Sequence, residues 1–171
     1  MYFFIRFYLL PYLEQKWYDA FSYRYYIRKQ VSIIMTDLIK VLVVDDNKDL
    51  TAIINRLFAQ YADIVPAGVA GNGHEALAMI RQTKIDVVLL DIIMPDMDGL
   101  QVLASLQQME GEKPAVIVLS AMGSNRMIKR ALEMGADYFL IKPVDASTMI
   151  ENIRAAHRAR RDHGLTKVDI G

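Results

Sequence analysis

Five short apolar runs separated by stretches of helical periodicity constrain the fold of this chain more than any other feature. The runs are Ile39 to Val44 (IKVLVV), Ile64 to Ala70 (IVPAGVA), Val87 to Leu90 (VVLL), Ala115 to Leu119 (AVIVL) and Tyr138 to Ile141 (YFLI). They are rich in Val and Ile and lack a polar alternation, as strands covered on both faces do. Between them, Leu50, Ile53, Ile54, Leu57, Phe58 and Tyr61 repeat at the three-four spacing of a helix with one apolar face. Weaker versions of that spacing run from Glu75 to Arg81, Leu100 to Met109, Arg126 to Met134 and Ala146 to Arg160. Asn72-Gly73 and Ser124-Asn125 have the residue types of helix starts, and Gly135 that of a helix stop.

Five strand-helix rounds imply an α/β layered sheet. With right-handed crossovers and helices on both faces, the simplest arrangement is a doubly wound, flavodoxin-like parallel sheet of five strands in the order 2-1-3-4-5, with five helices. In such a sheet all C-terminal strand ends open on one edge, where ligands bind. Asp45 and Asp46 follow the first run, Asp91 the third, Ser120 the fourth, and Lys142 and Pro143 the fifth.

Each of these residues has an ordinary explanation when taken singly. Asp46 precedes a helix and suits an N-cap, Asp91 a loop acid, Asp98-Gly99 a turn, Ser120 a turn, and Lys142 a solvated strand exit. Their joint placement at four strand ends on the ligand-binding edge argues instead for a site. Three carboxylates crowded there repel one another and call for positive charge, which Lys142 and a hard divalent cation such as Mg²⁺ would supply. His74, His157 and His163 have no ligand spacing and are expected to face solvent. Arg158, Arg160 and Arg161 beside His157 suit the end of a helix, whose dipole they complement. Met127, Met134 and Met149 suit core or an adaptable surface.

The chain of 171 residues suits one domain with short appendages. It contains no Cys, which excludes disulfide and thiol chemistry and is compatible with the cytoplasm. The 20 basic and 20 acidic residues balance, so the total charge gives no reason to expect nucleic-acid or membrane attraction. Twelve of the 16 aromatic residues fall within residues 1–35, and the break in composition sets a boundary near Met35. Arg6 and Pro11 interrupt the apolar stretch there, which is far short of the roughly 20 residues of a membrane span. It also lacks the order of a secretory signal. Two readings of 1–35 remain: a stretch that lies on a membrane surface or partner, or a non-native extension translated from an upstream start. The compositional break favours the second.

The segments VVDDN (43–47), DIIMPDMDGL (91–100), LSAMG (119–123) and GADYFLIKPVD (135–145) resemble response regulator receiver domains, the CheY-like family, over about Lys40 to Arg160. The wording DIIMPDMDGL and YFLIKP is most similar to receivers of the stage-zero sporulation regulators of endospore-forming bacteria. The resemblance implies a receiver domain over 36–161, with 162–171 as a tail or the start of a linker. It makes Asp91 the phosphoacceptor, taking a phosphoryl group from a histidine kinase or histidine phosphotransferase. Asp45, Asp46, Asp91 and the Ile93 carbonyl would hold Mg²⁺ (or Mn²⁺), and Lys142 and Ser120 would bind the phosphoryl oxygens. The bond from Lys142 to Pro143 would be cis. Ser120 and Phe139 would form the switch that repacks the surface of the fourth helix, fifth strand and fifth helix, giving a phosphorylation-dependent homodimer.

Two departures from the family pattern stand out. Polar residues often occupy the positions two after the acceptor and two after the switch hydroxyl, where this chain has Ile93 and Met122. A drier site and slow self-dephosphorylation follow. Moreover, sporulation regulators continue into a DNA-binding domain, whereas here ten residues follow Arg161. DNA would be reached only through an output domain absent from this sequence, and a stand-alone receiver acting as phosphate sink or binding module is the alternative. An FMN-binding flavodoxin would need a Ser/Thr/Gly-rich phosphate loop where this chain has DDNKD. A Mg²⁺-dependent aspartyl phosphatase would need spaced acids after the first strand, where this chain has adjacent ones.

Overall fold

The computed structural model describes residues 38–165. The aromatic-rich segment 1–35 and the tail 166–171 lie outside the described residues. Five strands form one parallel sheet: β1 (Ile39–Val44), β2 (Ile64–Ala70), β3 (Val87–Asp91), β4 (Ala115–Ser120) and β5 (Tyr138–Ile141). Their order is β2-β1-β3-β4-β5, as the sequence pattern predicts. The helices between and after them are α1 (Lys48–Phe58), α2 (Gly73–Gln82), α3 (Gly99–Gln108), α4 (Asn125–Glu133) and α5 (Ala146–Leu165). None of them is long and apolar enough to cross a membrane.

Side chains alternate across a strand, and the two resulting sets build two cores. Leu42, Val44, Val88, Leu90, Val116 and Val118 pack with residues of α2, α3 and α4 such as Leu77, Leu103 and Ala131. Val41, Val43, Val87, Leu89, Ile117 and Leu119 pack with Ile54 and Phe58 of α1 and Ile150 and Ile153 of α5. Each fully buried Leu, Ile or Phe contributes on the order of 1.5–3 kcal/mol. An exposed ion pair such as Lys84–Glu112 contributes at most about 1 kcal/mol. The two apolar layers, not the surface charges, therefore fix the strand order. β2 is less buried because it is an edge strand, and its Pro66 and the register shift beside Val41 and Leu42 suit an edge.

Helix ends follow the sequence signals closely. Asn72 and Ser124 cap α2 and α4, and Gly135, at φ +96°, ends α4 in the left-handed region that favours glycine. Asp98 caps α3 through a capping box with Gln101. Asp145 accepts from the Ser147 hydroxyl and from the hydroxyl and backbone N–H of Thr148 at the start of α5, bonds that hold its carboxyl well below the usual carboxylate range.

Some expectations need correction. Asn47 caps α1, accepting from the backbone N–H of Asp49 and Leu50, so the ordinary N-cap explanation of Asp46 does not hold. Ile53 is exposed despite its apolar spacing, because the buried face of α1 runs through Thr51, Ile54 and Phe58. Tyr61 lies beyond the helix. His74 is exposed, whereas His157 is half-buried along α5; His163 lies outside the residues whose side chains are described. α5 runs past Arg160, so the basic run is not its last turn. Arg160 instead forms a two-pronged pair with Asp137, whose Oδ2 also accepts from Val116 N–H at 2.7 Å. Arg154 makes a similar fork to Asp63, holding that carboxyl below its ordinary range, and so joins α5 to the loop before β2.

Candidate functional site

The strand alternation that builds the two cores also assigns the polar residues at the sheet's C-terminal edge. Asp45 and Asp91 continue the phase of Val41, Val43, Val87 and Leu89, and Lys142 that of Tyr138 and Leu140, all toward α1 and α5. Ser120 continues the phase of Val116 and Val118, on the opposite sheet face, where Phe139 also packs. Three charged groups thus converge from three strands. The Lys142 ammonium donates to Asp45 Oδ2 at 2.6 Å and to Asp91 Oδ1 at 2.9 Å.

Burial makes this geometry costly without compensation. Asp45 is 5% and Asp91 7% exposed, and Lys142 side-chain exposure is 23%. Desolvation raises the Asp91 carboxyl above its ordinary range, against the opposing pull of Lys142. Burial works against the Lys142 charge too, but its hydrogen bonds to Asp45 and Asp91 outweigh this and raise it, keeping it protonated. The two partners differ because Asp91 lies deeper than the lysine, so desolvation prevails only at the acid.

Short turns hold the same groups from the chain side. Asp45 Oδ1 accepts from Asn47 N–H at 2.8 Å, Asp91 Oδ2 from Ile93 N–H at 3.0 Å, and Ser120 Oγ from Met122 N–H at 3.1 Å. In each case the donor stands two residues further on, where the chain leaves the strand. Ser120, fully buried, accepts through its carbonyl from Lys142 N–H at 2.9 Å. The Lys142–Pro143 peptide is cis. Gly99 donates to Ile92 O at 2.9 Å, and a Cβ there would lie 2.3 Å from the Asp91 carbonyl oxygen. Only glycine lets α3 start this close to the strand that carries Asp91.

Three further acids stand apart from this cluster. Asp46 is exposed, and Asp96 and Asp98 belong to the loop and to the α3 cap. The expected crowding of three carboxylates is therefore reduced to two that share one ammonium. Among the described residues no three carboxylate or imidazole side chains stand close enough together to hold a metal ion. The donor chemistry nonetheless fits a hard divalent cation. Asp45, Asp46, Asp91 and the Ile93 carbonyl are all oxygen donors, and the two buried carboxylates alone exceed the single charge of Lys142. The roles of Asn47 and Gly99 do not show in the sequence. The former was hidden behind two more conspicuous acids, and the latter's role depends on a contact that spacing does not reveal.

Comparison with known proteins agrees with this architecture. Residues 41–154 match the family of the response regulator receiver domain. The receiver domain of the Francisella response regulator 1452 is 32% identical, with a TM-score of 0.63, covering 70% of this chain and 97% of its own. The CheX-CheY-BeF3-Mg²⁺ complex of Borrelia burgdorferi gives 29% identity and a TM-score of 0.64, covering 68% of this chain and 87% of that one. The response regulator domain of CheB from Thermotoga maritima gives 28% identity and a TM-score of 0.65, covering 71% and 97%.

The raised Asp91 carboxyl has a consequence for stability. Its contribution is fully present below the unfolded carboxylate pKa and is lost as pH rises through the folded value. At pH 7 the buried charge is thus a net cost in metal-free protein. Asp91→Asn is expected to melt at a higher temperature than the wild type at pH 7, with the gap closing on acidification through the carboxylate range. Thermal melts in a chelating buffer measure this, and an Asp91→Asn protein less stable than the wild type at pH 7 would contradict it. Fold, strand order and matched residues together establish that this chain belongs to the response regulator receiver domain family.

Proposed function

We propose that Asp91 is the phosphoacceptor of a two-component or phosphorelay response regulator, and that Lys142 and Ser120 bind the transferred phosphoryl group. The observation that carries this reading is the Lys142 ammonium shared between Asp45 and Asp91 at buried strand ends. A carboxylate held still, poorly hydrated and beside a fixed cation is a suitable nucleophile toward phosphorus. An Asp91 oxygen attacks the phosphorus of a phosphohistidine on a histidine kinase or histidine phosphotransferase. The P–N bond breaks, the imidazole nitrogen takes up a proton, and an acyl phosphate remains. Phosphoryl transfer needs positioning and charge neutralisation above all, so no separate base is required.

Receiver domains generally take Mg²⁺ for phosphorylation. Here Asp45, Asp46, Asp91 and the Ile93 carbonyl would hold it, or Mn²⁺, and when bound it would neutralise phosphoryl oxygens. The CheY of Borrelia burgdorferi, complexed with CheX, BeF3 and Mg²⁺, is a relative that supports this assignment. The chain's own contribution is to orient. Lys142 is aimed by its two carboxylate partners, and the Ser120 hydroxyl stands at the adjoining strand end. A new dianion at Asp91 adds strong acceptors that draw Ser120 inward, and Phe139, on the same sheet face, repacks with it. The surface of α4, β5 and α5 then changes, which we connect to dimerisation and to a sporulation-type transcriptional output in the cytoplasm. The wording DIIMPDMDGL and YFLIKP supports the sporulation branch. A receiver that serves only as a phosphate sink is the second reading.

Incubation with acetyl phosphate and Mg²⁺, followed by intact mass, is expected to add one phosphoryl group to the wild type and none to Asp91→Asn. Equal labelling of both would overturn the assignment. The phosphorylated protein is further expected to sediment as a dimer, while unchanged sedimentation on full labelling would remove the dimer from the account. Ile93 and Met122, both apolar and exposed two residues beyond Asp91 and Ser120, offer no polar side chain of their own to orient an attacking water. Loss of the label after removal of acetyl phosphate is therefore expected to take minutes or longer; a half-life of seconds would refute the dry-site argument.

A further inference from the structure

Of the methionines in the described residues, Met122 alone is exposed, at 59%, while the other seven are buried or half-buried. Its backbone is held in place at the site. Its N–H donates to Ser120 Oγ, and the loop behind it presses on the end of β5, since a Cβ on Gly123 would lie 2.3 Å from Ile141 Cδ1. Ile93 bears the same relation to Asp91, with its N–H on Oδ2 and its side chain 56% exposed. Both turns therefore hold an apolar side chain where the strands open to solvent. One of the two carries a thioether, which peroxides oxidise and methionine sulfoxide reductases restore.

We infer that Met122 is a reversible oxidation site whose sulfoxide shortens the life of the phosphoryl group; the second half of this inference rests on Asp91 being the acceptor. A sulfur lone pair attacks one oxygen of hydrogen peroxide, the O–O bond breaks, and the second oxygen leaves as water with both protons. Sulfur is oxidised by two electrons and the peroxide is reduced. The product carries a strong hydrogen-bond acceptor where there was an apolar group. Beside Ser120, that acceptor holds water at the mouth of the site, and water is the nucleophile that hydrolyses an acyl phosphate. The site would thus lose its signal faster under peroxide.

The test is limited hydrogen peroxide treatment of the full chain, with peptide mapping by mass and a parallel measurement of label loss after acetyl phosphate. Met122 is expected to gain oxygen ahead of the other seven methionines of the described residues, and the oxidised protein to lose its label several-fold faster. Met122→Leu should abolish the peroxide effect on label loss, and Met122→Gln should speed the loss without oxidant. Oxidation of Met122 no faster than the buried methionines would overturn the site. Selective oxidation with an unchanged label lifetime would overturn its regulatory role. If acetyl phosphate fails to label Asp91, the acceptor reading and the regulatory half fall together, while the peptide map still decides whether Met122 is the oxidation site.

Discussion

The Lys142 ammonium lies between two buried carboxylates, Asp45 and Asp91, which arrive from different strands and would repel each other without it. Removing two acids from water is expensive, and the expense is tolerable only when a cation is fixed nearby and the remaining oxygens are hydrogen-bonded. Both conditions are met here. Each carboxylate uses one oxygen for the lysine and the other for a backbone N–H two residues on. The lysine is held in turn at the end of β5, where its own N–H bonds to Ser120 O. One interaction therefore couples strands β1, β3 and β5, with β4 attached through its backbone.

The scaffold around it explains why the arrangement is rigid. Two apolar layers fix the strand phase, and the phase alone separates the acid–lysine cluster from Ser120 and Phe139. Gly99 brings α3 against the backbone of Asp91. On α5, away from the site, Arg154 and Arg160 pair with Asp63 and Asp137. These outer pairs are partly exposed and contribute little free energy individually. Their role is to fix where α5 lies on the sheet.

Much of this was legible in the sequence because it depends on period. The Val-rich runs give the strands, and the residue following each run gives the edge, so Asp45, Asp91, Ser120 and Lys142 could be named without coordinates. Strand order followed from handedness and layer rules rather than from any residue. What escaped was whatever depends on distance between side chains. Asp46 is as conspicuous as Asp45 in the sequence, yet only Asp45 falls in phase with the buried face. Ile53 fits the helical spacing but sits on the shoulder of the apolar stripe and is exposed. His157, expected in solvent, is half-buried along α5, and Arg160 has a carboxylate partner that lies in a different loop.

Lys142 favours the charged form of Asp91 against the burial that opposes it. The most direct measurement is a carboxyl-carbon NMR titration of Asp91 in metal-free wild type and Lys142→Met, with the backbone spectrum confirming that both are folded. Burial raises the Asp91 carboxyl and Lys142 lowers it. Loss of the ammonium should therefore move the Asp91 midpoint to higher pH. A midpoint that stays where it is, or falls, would contradict the account.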